Sequence, residues 1–182
     1  MKGIERAEAV KLFCGILHSS CISTEEILSS LSKVFGAIDL QSPSIPFTFT
    51  SYYKKEMGEN LLRFFASFSL LQDPANAADW KLASIQLERE FLKKGTSLRL
   101  VNIDPGYLVA SRLLLLTTKD FSHRVYLREG IYAEVTLCWR RGSFQRMEWT
   151  YPDYNSSFAR DFFTKVRNIY LQQRRQDDSE RE

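Results

Sequence analysis

The stretch AVKLFCGILHSSCISTEEILSSLSKVFG, residues 9–36, decides the fold. Its first part, residues 9–17, is almost wholly apolar on both alternations, which is typical of a central strand buried on both faces. Ser23 and Glu26 then have the S-x-x-E spacing of a helix capping box. Gly36 suits the left-handed residue just past a helix. The stretch therefore predicts a buried strand that leads into a helix.

Two further strands are predicted after this helix. Residues 37–46 hold two prolines and two serines, which indicates a loop. FTFTSYY at 47–53 alternates and is rich in β-formers, and LLRFFASFSLL at 61–71 is a longer run of the same kind. The polar segment between the two runs makes them a predicted hairpin.

A second helix and another strand complete the first half. Asp73 is a favourable N-cap, Pro74 suits the first helical position, and apolar residues recur at helical spacing over 74–93. SLRLVNID at 97–104 is predicted to be a strand that ends in a tight Asp104-Pro105-Gly106 turn. The resulting order is β-α-β-β-α-β, the ferredoxin-like unit, and the predicted class is α+β.

The second half predicts an antiparallel meander that extends the first sheet, followed by a C-terminal helix. Strands are expected at 111–118, 123–127, 131–140 and 144–151. The last helix is expected from about 156 to 175, and its buried stripe is Phe158, Phe162, Val166 and Ile169. We predict a single α+β domain over 1–175 and a charged, disordered tail over 176–182.

Composition indicates a globular domain. The chain has 182 residues, of which 44% are hydrophobic and 26% charged, and its formal net charge is +3. These values exclude a wholly disordered chain, a collagen and a disulfide-rich toxin. No run approaches the roughly 18 apolar residues of a membrane span, and the N-terminus lacks a signal-peptide pattern. A cytoplasmic protein without a membrane partner is therefore expected.

Cysteine and motif patterns narrow the chemistry. Cys14, Cys21 and Cys138 form no C-x-x-C pair, so they are predicted to be reduced thiols and no metal site is predicted. The chain lacks a phosphate loop, a Rossmann fingerprint and an H-E-x-x-H motif. Thr118-Lys119-Asp120 is similar to a guanine-reading motif, but its Asp is one position too early. A GTPase of the usual kind is therefore excluded.

Polar side chains cluster in the middle of the predicted meander. Lys119, His123 and Arg124 lie between two strands, and Glu134 and Thr136 share one face of the next strand. The functional interpretation is a pocket whose two cations hold an anionic ligand. The alternative is a solvated sheet face with cross-strand ion pairs. If 127 pairs with 132, residue 125 lies opposite 134, which brings Glu134 beside Arg124.

Asn102 and Asp104 are also candidate site residues, because they project from one face of the same predicted strand. They would line the pocket or act as acid and base. The alternative is local turn chemistry, since an Asp before Pro-Gly caps its own turn.

Basic and aromatic residues raise the question of a nucleic-acid partner. Basic residues with aromatics nearby are Arg63, Lys81, Arg99 and Arg124. The run at 61–71 has aromatics but lacks the glycines of an RNA-binding strand signature, so a nucleic-acid partner is not predicted. WTYPDY at 149–154 and the pair Tyr52 and Tyr53 would stack on a base or sugar, or else close the core, and the second interpretation is favoured.

Four strings resemble a family of small bacterial proteins of unknown function, some of which carry the automatic label "GTP-binding protein". The strings are FTFTSYYKKEMG, VNIDPGYL, LLLTTKDFSHRVYLREGIYAEVTL and WTYPDY. The resemblance runs from about residue 9 to 171. It implies a bacterial, cytoplasmic setting and a shared site in the polar strings, but it transfers no activity and no catalytic role. The missing motifs do not support the GTP label.

Three functions remain open. The first is a domain that binds a small anionic ligand, such as a nucleotide or another phosphate compound. The second is an enzyme in the same cleft, with His123 as acid or base and Glu134 or Asp104 orienting it. The third is a protein-interaction module without a small-molecule site. The sequence names neither a cofactor nor an oligomeric state.

Overall fold

A computed structural model describes residue 3 and residues 7–179, without the side chains of 177 and 178. Its strands are β1 (Val10–Ser19), β2 (Ile38–Gln41), β3 (Ile45–Pro46), β4 (Leu61–Gln72), β5 (Val101–Val109), β6 (Arg112–Thr117), β7 (Val125–Arg128), β8 (Ile131–Arg140) and β9 (Ser143–Arg146). Its α-helices are α1 (Thr24–Phe35), α2 (Lys54–Met57), α3 (Ala77–Glu88) and α4 (Ser157–Ser179). Short 3-10 turns, Pro74–Asn76 and Arg89–Phe91, flank α3.

All these strands form one antiparallel sheet in the order β2-β4-β1-β5-β6-β8-β7, with β3 paired to β4 and β9 to β8. Strand β1 lies between β4 and β5 and is antiparallel to both. Helix α1 connects β1 to β2, and α3 connects β4 to β5. This arrangement confirms the α+β class, the ferredoxin-like unit, its extension by an antiparallel meander and the C-terminal helix.

Strand β1 contributes to a hydrophobic core on each side of the sheet. Leu12, Cys14 and Ile16 pack with α1 and α3, whereas Phe13 packs with α4 on the opposite face. The prediction of a strand buried on both faces is therefore confirmed, and it explains why both alternations are apolar. Burying each such side chain stabilises the fold by roughly 1.5–3 kcal/mol.

Both predicted helix starts are confirmed at the level of capping. The Ser23 hydroxyl accepts a hydrogen bond from the Glu26 backbone N–H at 3.1 Å, and Gly36 has the positive φ of 96° that a helix end favours. The Asp73 carboxylate accepts from the Ala75 N–H at 3.0 Å.

The second strand lies earlier in the chain than predicted. The expected loop at 37–46 contains β2 and β3, and the expected strand at 47–53 is a loop that leads into α2. The alternation of β2 fits its burial, because Ile38 and Leu40 are half-buried while Asp39 and Gln41 are exposed. Within that loop, Phe47 and Tyr53 pack on a small cluster of Leu17, Met57 and Leu61. Side-chain alternation in that segment therefore reflects packing and not sheet pairing.

The predicted Asp104-Pro105-Gly106 turn is wrong, because these residues lie within β5. Pro105 pairs with Cys14 of β1. Gly106 lies opposite Phe13 of β1 on one side and opposite Leu115 of β6 on the other. A Cβ on Gly106 would lie 2.3 Å from the Leu114 carbonyl oxygen and 2.5 Å from the Phe13 ring. This glycine serves close packing and not a turn.

The remaining differences concern boundaries. The strand expected at 144–151 ends at Arg146, because the Met147 N–H donates to the Thr150 hydroxyl and closes a turn. Within α4, Phe162 and Val166 are buried as expected, whereas Phe158 and Ile169 are half-buried. The additional buried residues of this helix are Ala159, Phe163 and Tyr170. The tail predicted for 176–182 begins within α4, and 180–182 lie outside the described residues.

Candidate functional site

A cavity of about 1070 Å³ opens between the loop that leads into α2, helix α3, strands β5, β6 and β8, and the segment before α4. Its basic lining residues are Arg63, Lys81, Arg89, Arg99, Lys119 and Arg124. Its acidic lining residues are Glu88, Asp104, Glu134 and Asp153. Its aromatic lining residues are Phe47, Phe49, Tyr52, Tyr53, Tyr151 and Tyr154. Basic residues that seemed scattered in the sequence therefore converge on one cavity.

The polar residues of the meander contact one another beside this cavity. The Arg124 Nε donates to Glu134 Oε2 at 2.7 Å, and Nη1 donates to the Lys119 carbonyl oxygen at 3.0 Å. The predicted register holds at Arg128 and Ile131 but is wrong by one position beyond them, because an irregularity between Tyr126 and Arg128 places Val125 opposite Ala133. Arg124 and Glu134 meet nonetheless, because both side chains point into the same part of the cavity wall.

The buried carboxylate of Glu134 contacts both His123 and Arg124. Its side chain is only 1% exposed, and Oε2 lies 3.1 Å from Nε2 of His123 as well as 2.7 Å from Arg124. The Arg124 Nη2 also donates to the Tyr151 hydroxyl at 2.9 Å. Burial opposes the charge of Arg124, but the Glu134 hydrogen bond and the nearby Tyr151 raise its pKa above the ordinary value. The charge of Arg124 is therefore internally compensated.

His123 and Thr136 contact Glu134 but do not line the cavity themselves. The His123 ring stacks on Trp149 with centroids 4.6 Å apart and planes at 10°. Thr136 is fully buried, and its hydroxyl donates to Glu134 Oε1 at 3.4 Å. Both residues hold Glu134 in place.

Asn102 and Asp104 do line the cavity, but as part of strand β5. The Asn102 amide donates to Asp104 Oδ2 at 2.8 Å, and its oxygen accepts from Arg99 Nη1 at 3.0 Å. Arg99 also binds Glu56 through two nitrogens, at 2.7 and 3.0 Å, and Glu88 at 2.7 Å. The hydrogen bond with Arg99 holds the pKa of Glu56 below its usual range. This network fastens α2 and α3 to the sheet at one side of the cavity.

The two buried cations Arg63 and Lys81 form the floor of the cavity. Arg63 is 3% exposed and Lys81 is 6% exposed. The Lys81 ammonium donates to the Ile103 carbonyl oxygen at 2.9 Å and lies 3.5 Å from Asp104 Oδ1. Arg63 forms an ion pair with Asp153 and lies 3.9 Å from Asp104. Among the described residues, Nε and Nη1 of Arg63 have no hydrogen-bond acceptor.

The aromatic loop at 47–53, which leads into α2, covers one flank of the cavity. The Lys119 ammonium lies 4.8 Å from the centre of the Tyr52 ring and 3.3 Å from its hydroxyl. Such an aromatic surface stacks on planar groups or on the C–H faces of sugars. The sequence drew attention to Tyr52, but nothing in it indicated that this loop faces Lys119 across 67 residues.

Sequence reasoning missed Glu88, Arg89 and Asp153 as lining residues. Glu88 and Arg89 lie at the end of α3, where charged residues are ordinary, and Asp153 was considered only as part of an aromatic string. No local pattern distinguishes such residues, because long-range pairing places them beside the cavity.

No group of three or more His, Cys, Asp or Glu side chains is placed to hold a metal ion in the part of the chain that the structure describes. No helix within the described residues is long and apolar enough to cross a membrane.

Comparison with known proteins identifies a family but no activity. A family model described as a domain of unknown function, DUF4416, matches residues 8–170. The chain therefore belongs to this family, whose description mentions no GTP binding. No curated protein and no solved structure matches the chain.

Proposed function

We propose that this DUF4416 member binds a small anionic ligand in the 1070 Å³ cavity. One observation carries the proposal: six basic and four acidic side chains line the cavity, a formal excess of two positive charges. A recessed surface with an excess of one charge sign attracts ligands of the opposite sign.

The excess charge resides at the rim. Each acidic lining residue has a basic partner, in the pairs Glu88–Arg99, Glu134–Arg124, Asp153–Arg63 and Asp104–Lys81. Lys119 and Arg89 remain, and no carboxylate of the described residues lies within 4.0 Å of either. Both side chains are exposed. An anionic group of the ligand would therefore bind at the rim, away from the buried carboxylates and from Arg99, which is shared between Glu88 and Glu56.

Cavity size and lining support a ligand larger than an inorganic anion. Ligand pockets commonly measure about 300–1,000 Å³, so this cavity holds a molecule of nucleotide or drug size. Phe49, Tyr52 and Tyr151 line it and retain 36%, 65% and 44% exposure, so their rings are accessible for stacking. A nucleotide or another phosphate compound satisfies both the charge and the aromatic surface.

The alternatives find less support. An enzyme with His123 as acid or base requires its imidazole in the cavity, but His123 does not line the cavity, and its ring contacts Glu134 and Trp149. An interaction module requires the polar residues on an open face, whereas Asp104 and Glu134 line one recess. The bacterial, cytoplasmic setting stays a prediction based on the resemblance.

Thermal unfolding with added anions tests the proposal. Inorganic phosphate, sugar phosphates, nucleotides and dicarboxylates should be screened, together with mass spectrometry of any small molecule released by denaturation. At about a hundred times its dissociation constant, a ligand should stabilise the fold by roughly 2.7 kcal/mol. We expect Lys119→Ala to weaken the shift several-fold, because it removes an unpaired rim cation.

Lys33→Ala is the matched control, since Lys33 is an exposed lysine on α1, outside the cavity. It should retain the full ligand-induced shift. If no anion stabilises the wild type, or if Lys119→Ala and Lys33→Ala behave alike, the proposal is wrong.

A further inference from the structure

One lining carboxylate differs from the others in accessibility. The side chains of Glu88, Glu134 and Asp153 are 5%, 1% and 6% exposed, whereas that of Asp104 is 26% exposed. A ligand in the cavity can therefore contact the Asp104 carboxylate, while the other three are enclosed by their partners.

Asp104 retains hydrogen-bond acceptor capacity. Its Oδ2 accepts one hydrogen bond from the Asn102 amide at 2.8 Å, and its Oδ1 lies 3.5 Å from the Lys81 ammonium. An ionised carboxylate offers about four acceptor positions and no donor. The ligand group at this position must therefore donate a hydrogen bond, so the ligand's own phosphate or carboxylate does not fit there.

The surrounding charges select the kind of donor. Lys81 Nζ and Arg63 Nη1 lie 3.5 and 3.9 Å from the Asp104 oxygens, and Arg63 also pairs with Asp153, so these four groups are formally neutral together. A ligand ammonium would add a third positive charge beside Lys81 and Arg63 with no further carboxylate in this cluster to balance it. A neutral donor, such as a hydroxyl, avoids that unbalanced charge and still binds the charged acceptor.

We infer that the ligand is a phosphorylated sugar, free or as part of a nucleotide, whose hydroxyls bind Asp104 while its phosphate binds the rim cation Lys119. This inference rests on the proposed anion site and adds a second contact within it. The Tyr52 and Tyr151 rings at the flanks suit the C–H face of a sugar or a nucleobase.

Titration calorimetry on matched pairs of probes tests the inference with the intact protein. The pairs are ribose 5-phosphate and 2-deoxyribose 5-phosphate, glucose 6-phosphate and 2-deoxyglucose 6-phosphate, and AMP and its 2′,3′-dideoxy analogue. In at least one pair the hydroxylated probe should bind about 10- to 100-fold more tightly, because a hydrogen bond to a charged group is lost in the analogue. The pair that shows this preference distinguishes a free sugar phosphate from a nucleotide.

Asp104→Asn should reduce that preference by about tenfold, since the acceptor becomes neutral while its shape is kept. Its affinity for the deoxy probe should change little. Asp161→Asn, at an exposed position on α4, is the control and should keep the wild-type preference.

The comparison with inorganic phosphate is decisive, whatever the variant does to folding: if phosphate binds the wild type as tightly as the sugar phosphates do, the inference is wrong. Equal affinities within every pair would overturn a contact between Asp104 and the hydroxyls that the analogues lack. In that case a Lys119-dependent response to anions would still support the anion site. If no anion binds at all, both the site and the inference fail.

Discussion

Tyr154 lies where the cavity meets the core beneath α4. It is 1% exposed, and its ring stacks on Phe163 with centroids 5.9 Å apart. Its hydroxyl has no hydrogen-bond partner among the described residues. Burial raises the pKa of this phenol well above its usual range, although nearby Arg63 acts in the opposite direction.

We predict that Tyr154→Phe changes the alkaline stability of the protein. The folded state keeps a phenol proton that the unfolded chain loses above about pH 10, so unfolding becomes easier as pH rises beyond that value. The Phe variant lacks this proton and should lose less stability, by up to about 1.4 kcal/mol per pH unit. Near neutral pH the two proteins should agree within about 1 kcal/mol, because no hydrogen bond is lost.

Urea denaturation between pH 7 and 11 measures both effects. Tyr126→Phe, at a position that is 57% exposed, is the control and should follow the wild-type profile. An alkaline loss in Tyr154→Phe as steep as in the wild type would contradict the prediction.

Helix α4 is the element that covers the second face of the sheet. Phe163 is fully buried on it and contacts Phe13, Phe65, Phe162 and Tyr154 with ring centroids 4.8–5.9 Å apart. Phe163→Ala should therefore lower the free energy of unfolding by about 3–5 kcal/mol, as expected for a buried aromatic whose loss leaves a cavity. Denaturant titration measures this change.

Asp161 lies two residues from Phe163 on the exposed side of the same helix, so Asp161→Ala is the control. It should alter stability by no more than about 0.5 kcal/mol. If the two variants were equally stable, α4 would not form the second core.

Elements with strong local signals were predictable, and contacts across the chain were not. The capping residues Ser23 and Asp73 act within a few residues, so the sequence is sufficient to locate the helices that they start. Strand β2 was missed because its pairing with β4 depends on residues about 25–30 positions away, while the aromatic loop has the better alternation. The cavity likewise depends on Arg63 meeting Asp153, which no local pattern encodes.

At the scale of the whole molecule, one sheet joins the two cores. Strand β1 contributes residues to both, so neither core is complete without it. The single domain predicted from the sequence should therefore unfold in one cooperative transition.

Two variants test this cooperative unfolding: one retains Trp80 as its only tryptophan, and the other retains only Trp139. Trp80 packs in the core with α1 and α3, and Trp139 packs against the core with α4. In each variant, tryptophan fluorescence and far-UV circular dichroism should report the same midpoint. Separate midpoints in either variant would indicate two independently unfolding units.

The cavity lining extends along the chain from Phe47 to Tyr154. During synthesis the chain emerges from its N-terminus, so a nascent chain that does not yet include Tyr154 lacks part of the wall. The ferredoxin-like unit is complete by Val109, before Lys119, Arg124 and Glu134 have been made. A ligand of this cavity would therefore meet its full set of contacts only after Tyr154 has been made and could not act as a template for the early folding of the sheet.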